Sequence, residues 1–384
     1  MISTDQLIRD ARDAAGLDDF GELLHREGFE VLIDSVNRES NLTEQATEDY
    51  KARMLRLLVN LLRTQHDLTQ FPEILDQPIE KPVFISCLPR TGSTKLHRML
   101  CETGKFQALQ FWEGHNPGRI PDQPNGGEAA RKEDGRRYLE WLETVAPGFK
   151  IAHPMYLEQT EEELILFEFG FCSPHPISLS HVPSYVAWFI QQDMTRRYES
   201  LRIMLQYLQW QFHRDNLRPW LLKCPVNQGY EEQITTVFPD ARFIVTHRNP
   251  VKLIPSVCRL LETSRHMYPA TVDHIDDVGQ ATLMLFTQAE AAQTAWRDAN
   301  PDVPVLDLAF SDINDEGLRE SDKALQFLGM EYSHADRDSI RKWIKGNQLE
   351  KHGRHKYSLA DYGLTEQDVE EQFTEYASRF GAYL

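Results

Sequence analysis

The sequence predicts an α/β protein: a central, mainly parallel sheet with helices on both faces, preceded by an N-terminal helical region. Three stretches predict it. Residues 82–96 run from a β-rich apolar segment (Val83, Phe84, Ile85), through a short loop of Pro, Arg, Gly and hydroxyl residues, into helical apolar spacing. Arg242, Phe243, Ile244, Val245 and Thr246 read as a buried strand, and Pro250 suits the first turn of the helix that follows. Between them, the apolar run at 220–225 reads as a buried strand ending near Lys223 and leads into a helix at 229–238. Strands alternating with helices in this way form βαβ crossovers, which require parallel pairing.

The other elements follow in chain order. Residues 3–70 read as helices, with apolar stripes at Leu7, Ala11, Leu17, Phe20, Leu23 and Leu24, and at Ala52, Leu55, Leu58, Leu61 and Leu62. They carry no evident chemistry and suit a packing cap or a homodimer-forming surface, so the expected division is a helical region 1–75 packed on a catalytic domain 76–384. A short strand is expected at 106–111, ahead of a polar cluster containing Trp112, Glu113 and His115. Residues 121–127 form a loop and Glu128–Val145 a charged amphipathic helix. The segment 147–193 is aromatic and interrupted by Pro, with Phe149, Phe167, Phe169, Phe171 and Tyr185 among its rings; it suits either an apolar acceptor pocket or the covering of the sheet. Helices at 195–214, 250–263, 272–298 and 317–328, the last capped by Gly329, and a strand at 303–308 complete the pattern.

Composition limits the function. The 384 residues carry a net charge of −18, the opposite of the basic footprint of a general nucleic-acid binder. No apolar run approaches the ~20 residues of a membrane span, and the N-terminus lacks the basic-then-apolar order of a signal peptide, so a cytoplasmic location is expected. Cys87, Cys101, Cys172, Cys224 and Cys258 form no C-x-x-C pair and read as reduced, mostly buried thiols. No cluster has metal-ligand spacing.

The loop at 88–94 has the chemistry of an anion cradle. Successive backbone N–H groups and the positive end of a helix dipole favour a phosphate, Gly92 permits close approach, and Arg90 adds a fork of donors. Thr91, Ser93 and Thr94 offer hydroxyls to the remaining oxygens. A nucleoside-triphosphate P-loop would need Gly-Lys-[Ser/Thr] at its end, which is absent here. A second cationic element follows the strand at 242–246, where Arg248 precedes Ser256 by eight residues. Arginine at the strand end and a hydroxyl about two turns along the next helix can converge on one phosphate if the chain doubles back over it. Lys223, leaving a core strand, is expected to face a charge.

Leu88-Pro89-Arg90-Thr91-Gly92-Ser93-Thr94 resembles the 5′-phosphosulfate loop of sulfotransferases that use 3′-phosphoadenosine 5′-phosphosulfate (PAPS). Arg248-Asn249-Pro250 with Ser256 resembles that family's 3′-phosphate element, and further likeness at Trp112-Glu113, 220–225, 238–242, 357–364 and 373–381 extends over nearly the whole chain, pointing to a bacterial-type branch. The resemblance implies a P-loop-like three-layer fold and PAPS as co-substrate without a metal. It implies that Arg90, Thr91, Gly92, Ser93 and Thr94 hold the phosphosulfate, and that Arg248 and Ser256 hold the 3′-phosphate. Lys351, His352, Gly353 and Arg354, in the basic loop 350–358, match the family's Arg-Lys-Gly lid loosely. Lys95 stands where relatives often place a Trp against the adenine.

The implied reaction is in-line attack of an acceptor hydroxyl, from a small molecule or lipid, on the sulfur. Arg90 and Lys223 would stabilise the charge that develops. Many relatives take their general base from a His after the counterpart of Lys223, but Cys224, Pro225, Val226 and Asn227 offer none. Glu113 is the first candidate in its place, as in tyrosylprotein-type relatives, followed by His115 and then His247. The alternatives are an ATP-dependent kinase on a P-loop scaffold and a non-catalytic nucleotide-binding module.

Overall fold

A computed structural model describes residues 1–272, 278–347 and 357–384. Two compact units emerge. The first comprises Met1–Pro78, Leu109–Asn216 and Leu261–His274; the second comprises Ile79–Ala108, Leu217–Leu260 and Ile275–Leu384.

The second unit is built on four parallel strands, β1 (Val83–Ile85), β2 (Leu221–Lys223), β3 (Arg242–His247) and β4 (Val305–Ala309), in the spatial order β2-β1-β3-β4. The register pairs Ile85 with Lys223 on one side and with Ile244 on the other. Alternation along β1 sends Val83 and Ile85 to one face and Phe84 to the other. The first face packs with Leu96, Met99 and Leu100 of the helix Ser93–Cys101, Ala324 and Leu325 of the helix Gly317–Phe327, and Ile340 of the helix His334–Gly346. On the second face Phe84 meets Phe238 and Phe243, with ring centroids 5.6 and 6.1 Å away, and Phe243 meets Trp296 of the helix Val278–Ala299 at 5.1 Å. The result is the three-layer α/β arrangement expected from the sequence.

Several long helices and a number of short ones make up the first unit. The helix Thr4–Ala15 is capped by the Ser3 hydroxyl accepting from Gln6 N, and the helix Glu44–Gln70 by Thr43 accepting from Ala46 N. Phe149, Phe167, Phe169, Phe171, Tyr185 and Phe189 of the aromatic segment are all buried, so these rings serve as the core of this unit. Phe29 of the helix Arg26–Glu39 packs on Phe171 at 4.8 Å.

One element differs in kind from the expectation. Residues 106–111 contribute only two isolated bridges, Gln107 to Trp220 and Gln110 to Thr160, and Phe111–His115 is a helical turn. A capping box closes its start: the Gln110 side chain accepts from the backbone at Glu113, and the Glu113 carboxylate accepts from Gln110 N. The helix expected at 272–298 is described from Val278 to Ala299, and the remaining boundaries shift by a few residues. All five cysteines are free thiols, four of them buried. No helix among the described residues is long and apolar enough to cross a membrane.

Gly279 lies where a Cβ would overlap the Tyr362 carbonyl oxygen. Because that obstacle is backbone, Gly279→Ala is expected to destabilise the fold by about 1–3 kcal/mol, read as a lowered midpoint in thermal unfolding.

Candidate active site

The anion loop leaves β1 as a tight, strained turn. Arg90 has φ 68° and Gly92 φ 86°, both left-handed, before the helix Ser93–Cys101 begins. Gly92 is required twice: its backbone is left-handed, and an added Cβ would stand 3.3 Å from the Phe310 ring. Thr91 does not point outward. Its hydroxyl, fully buried, donates to Leu88 O at 2.8 Å and shares a 2.6 Å bond with Thr246 Oγ1, pinning the loop to the end of β3. The Thr91 hydroxyl is thereby committed to the loop itself, in contrast to the expectation that it faces a ligand.

Lys223 ends β2, beside Ile85, and is 1% exposed. Its ammonium donates to Thr94 Oγ1 at 3.1 Å, so the ammonium stands at the first turn of the helix that follows the loop. Lys95, one residue further, turns aside: Nζ donates to Asn314 O at 2.9 Å, and burial lowers its pKa.

Arg248 leaves the end of β3 and its NH1 donates to the Arg90 carbonyl at 2.8 Å. Arg90 Nε in turn donates to Ser256 Oγ at 3.2 Å. The two elements recognised separately in the sequence are thus joined in space by direct hydrogen bonds. The Arg248 guanidinium lies 4.2 Å from the centroid of the Phe310 ring, which holds it flat. Burial, followed by the charge of Arg90 beside it, draws its pKa down, while Tyr357 opposes the shift. Among the described residues no carboxylate forms an ion pair with Arg248. Two neighbouring guanidiniums of this kind favour an incoming anion.

His247, adjacent in sequence, is committed elsewhere. Nε2 bonds Asp307 Oδ1 at 2.8 Å, Nδ1 bonds Tyr376 Oη at 3.0 Å, and the ring stacks on Phe380 at 4.4 Å. Arg297 grips the same Asp307 through two bonds of 2.8 and 2.7 Å. With both ring nitrogens engaged, His247 braces the end of β3 and has no lone pair for an acceptor proton.

The other two base candidates belong to the first unit. Glu113 is 4% exposed, and burial pushes its pKa up to about 7, against the pull of the Gln110 N–H and of Arg131. Its Oε2 accepts from Gln110 N at 2.9 Å, the capping contact. His115 is held down to about 3 by burial and by Arg56, whose guanidinium also donates to the His115 carbonyl. At that value the imidazole is a weak proton acceptor, whereas Glu113 titrates where general bases work best. Lys351, His352, Gly353 and Arg354 lie outside the described residues.

Three contributors were not singled out from the sequence. Thr246 anchors the loop through Thr91, and Phe310 supports Arg248 from just beyond β4. Tyr357 reaches Ser256. Phe310 follows a strand's carboxyl end, the edge where open α/β sheets bind ligands, and that rule was the available signal.

The fold is a three-layer α/β arrangement with two cationic elements joined beside its sheet, and comparison with known proteins gives the family. The chain belongs to the sulfotransferase family, whose sequence profile matches residues 82–334, spanning both cationic elements. Its structure is similar to that of the sulfotransferase STF1 from Mycobacterium tuberculosis H37Rv, with 27% identity, a TM-score of 0.76, and coverage of 97% of this chain and 99% of that one. The sulfotransferase STF9 from Mycobacterium avium, at 22% identity, shares the fold with a TM-score of 0.85 over 99% of this chain and 97% of its own. No curated protein sequence matches the chain significantly. Family and fold together support sulfuryl transfer as its chemistry.

Proposed function

We propose that the chain transfers a sulfuryl group from PAPS to a hydroxyl of a small-molecule or lipid acceptor by in-line displacement. The observation that carries this reading is the joining of Arg90 and Arg248 through the Arg90 carbonyl and Ser256. A cofactor with phosphate groups at both its 5′ and 3′ positions requires two adjoining cationic sites, whereas an ATP-type P-loop requires a Lys and a magnesium-binding hydroxyl directly after the glycine. PAPS supplies the activated sulfuryl group, and 3′-phosphoadenosine 5′-phosphate is the nucleotide released.

The chain's own residues would then divide the work. Arg90, Ser93, Thr94 and the backbone N–H groups from Thr91 onward hold the 5′ group at the helix N-terminus. Arg248 and Ser256 hold the 3′-phosphate. Lys223, already on Thr94, stabilises charge on the departing phosphate oxygens, where fixed cations act most strongly. Glu113 takes the acceptor's proton. The N-terminal helices, residues 1–75, are candidates for a homodimer contact.

The test is selective binding. Arg248→Ala is expected to weaken 3′-phosphoadenosine 5′-phosphate by about 10–100-fold, the loss of charge-assisted hydrogen bonds, and to leave adenosine 5′-phosphate nearly unchanged. Equal losses for the two ligands would remove the 3′-phosphate assignment.

A further inference from the structure

Tyr357 reaches the same cationic pair from the C-terminal part of the second unit. Its hydroxyl donates to Ser256 Oγ at 2.9 Å, and it stands near enough to Arg248 to oppose the fall in that residue's pKa. A guanidinium carries only N–H donors, so Arg248 makes no claim on the tyrosine proton, which goes to Ser256. Arg90 Nε donates to that same serine oxygen at 3.2 Å. Ser256 Oγ therefore accepts two hydrogen bonds, which fills both of its lone pairs.

The serine proton is left with the one remaining tetrahedral direction, and among the described residues Ser256 donates to no carbonyl or carboxylate. Tyr357 and Arg90 together turn an ambivalent hydroxyl, able to donate or accept, into an obligate donor. Every group presented at this point, two guanidiniums and the serine O–H, then donates. A fully ionised phosphate, which only accepts, satisfies such a site, while a ribose hydroxyl, which must also place its own proton, does not.

We propose that Tyr357 is a positioning residue that fixes the Ser256 proton outward and so makes the site selective for a phosphate over a hydroxyl at the nucleotide's 3′ position. This rests on the 3′-phosphate assignment above. Tyr357→Phe keeps the ring and removes only the hydroxyl. Calorimetric titrations with 3′-phosphoadenosine 5′-phosphate and adenosine 5′-phosphate would be run on the full chain, on Tyr357→Phe, on Ser256→Ala, on the double variant and on Arg248→Ala.

The expected result for Tyr357→Phe is a loss of about three- to tenfold for the 3′-phosphorylated ligand and less than about twofold for the other. That loss should disappear in the Ser256→Ala background, because the tyrosine acts through the serine. An equal loss for both ligands, no loss at all, or the same loss with and without Ser256 would overturn the inference. Arg248→Ala separates the levels: if it is selective and Tyr357→Phe is not, the positioning role alone fails, and if neither is selective, the 3′-phosphate assignment fails with it.

Discussion

Lys223→Met is expected to lower kcat by about 10²–10³-fold, the usual cost of removing one group aimed at developing charge. Methionine nearly preserves the volume of the buried side chain, so the substitution removes the ammonium with little disturbance of the core. Lys223 closes β2 beside Ile85 and is bonded to Thr94, which fixes the ammonium at the helix start where the 5′ group is proposed to sit. An interaction that strengthens only as charge develops on the leaving oxygens changes kcat and spares ground-state binding, so affinity for 3′-phosphoadenosine 5′-phosphate should stay within about threefold. Steady-state rates and calorimetry on one preparation check both halves. A variant that loses nucleotide affinity and kcat together would reassign Lys223 to ground-state binding.

Glu113→Gln is expected to reduce kcat by about 10²–10⁴-fold, the range for loss of a general base. The substitution is informative because Glu113 has two candidate roles. As a cap it accepts from Gln110 N at 2.9 Å, and the glutamine carbonyl can accept that bond as well. As a base it needs an ionised carboxylate, which glutamine cannot supply. A capping role alone therefore predicts near-wild-type rates. Burial first of all sets the pKa near 7, so the wild-type rate should climb with pH through about 7 as the carboxylate forms, and the variant should lose this limb.

The stability effect runs in the opposite direction. The folded chain keeps the Glu113 proton up to about pH 7, whereas an exposed glutamate releases it near 4.5. The native state thus binds more protons than the unfolded state between those values, and stability falls across that window as pH rises. Denaturant titrations at pH 5 and 8 should show a smaller difference for Glu113→Gln than for the wild type.

Features encoded by contiguous residues were legible in the sequence. The strand, loop and helix of 82–96 are specified within a few residues, by apolar β-rich side chains, by a glycine at a left-handed position, and by periodic spacing afterwards. The same holds for β3 and the helix Pro250–Arg265, and parallel pairing follows from the crossovers. The strand expected at 106–111 gives way at Phe111 to a helical turn whose cap is Gln110, outside the usual Ser/Thr signature, and the apolar residues before it hide that start.

The connections of the site were not legible because they join residues far apart in the chain. Thr91 meets Thr246, Arg90 meets Ser256, and Tyr357 meets Ser256 across 155, 166 and 101 positions. A hydroxyl in an anion loop reads as a ligand donor until the fold shows that it is bonded inward, as at Thr91. His247 reads as the third base candidate until Asp307 and Tyr376 are seen to occupy its two nitrogens. Residue type restricts the chemistry available, while packing decides which lone pairs and protons are still free to perform it.

The most direct test of the central claim is calorimetric titration of the purified chain with 3′-phosphoadenosine 5′-phosphate, run in parallel with ATP and magnesium. Stoichiometric binding of the first, with no comparable binding of ATP, is the predicted result. Binding of ATP with magnesium alone, or of neither nucleotide, would contradict the assignment of Arg90 and Arg248 as the two anchors of PAPS.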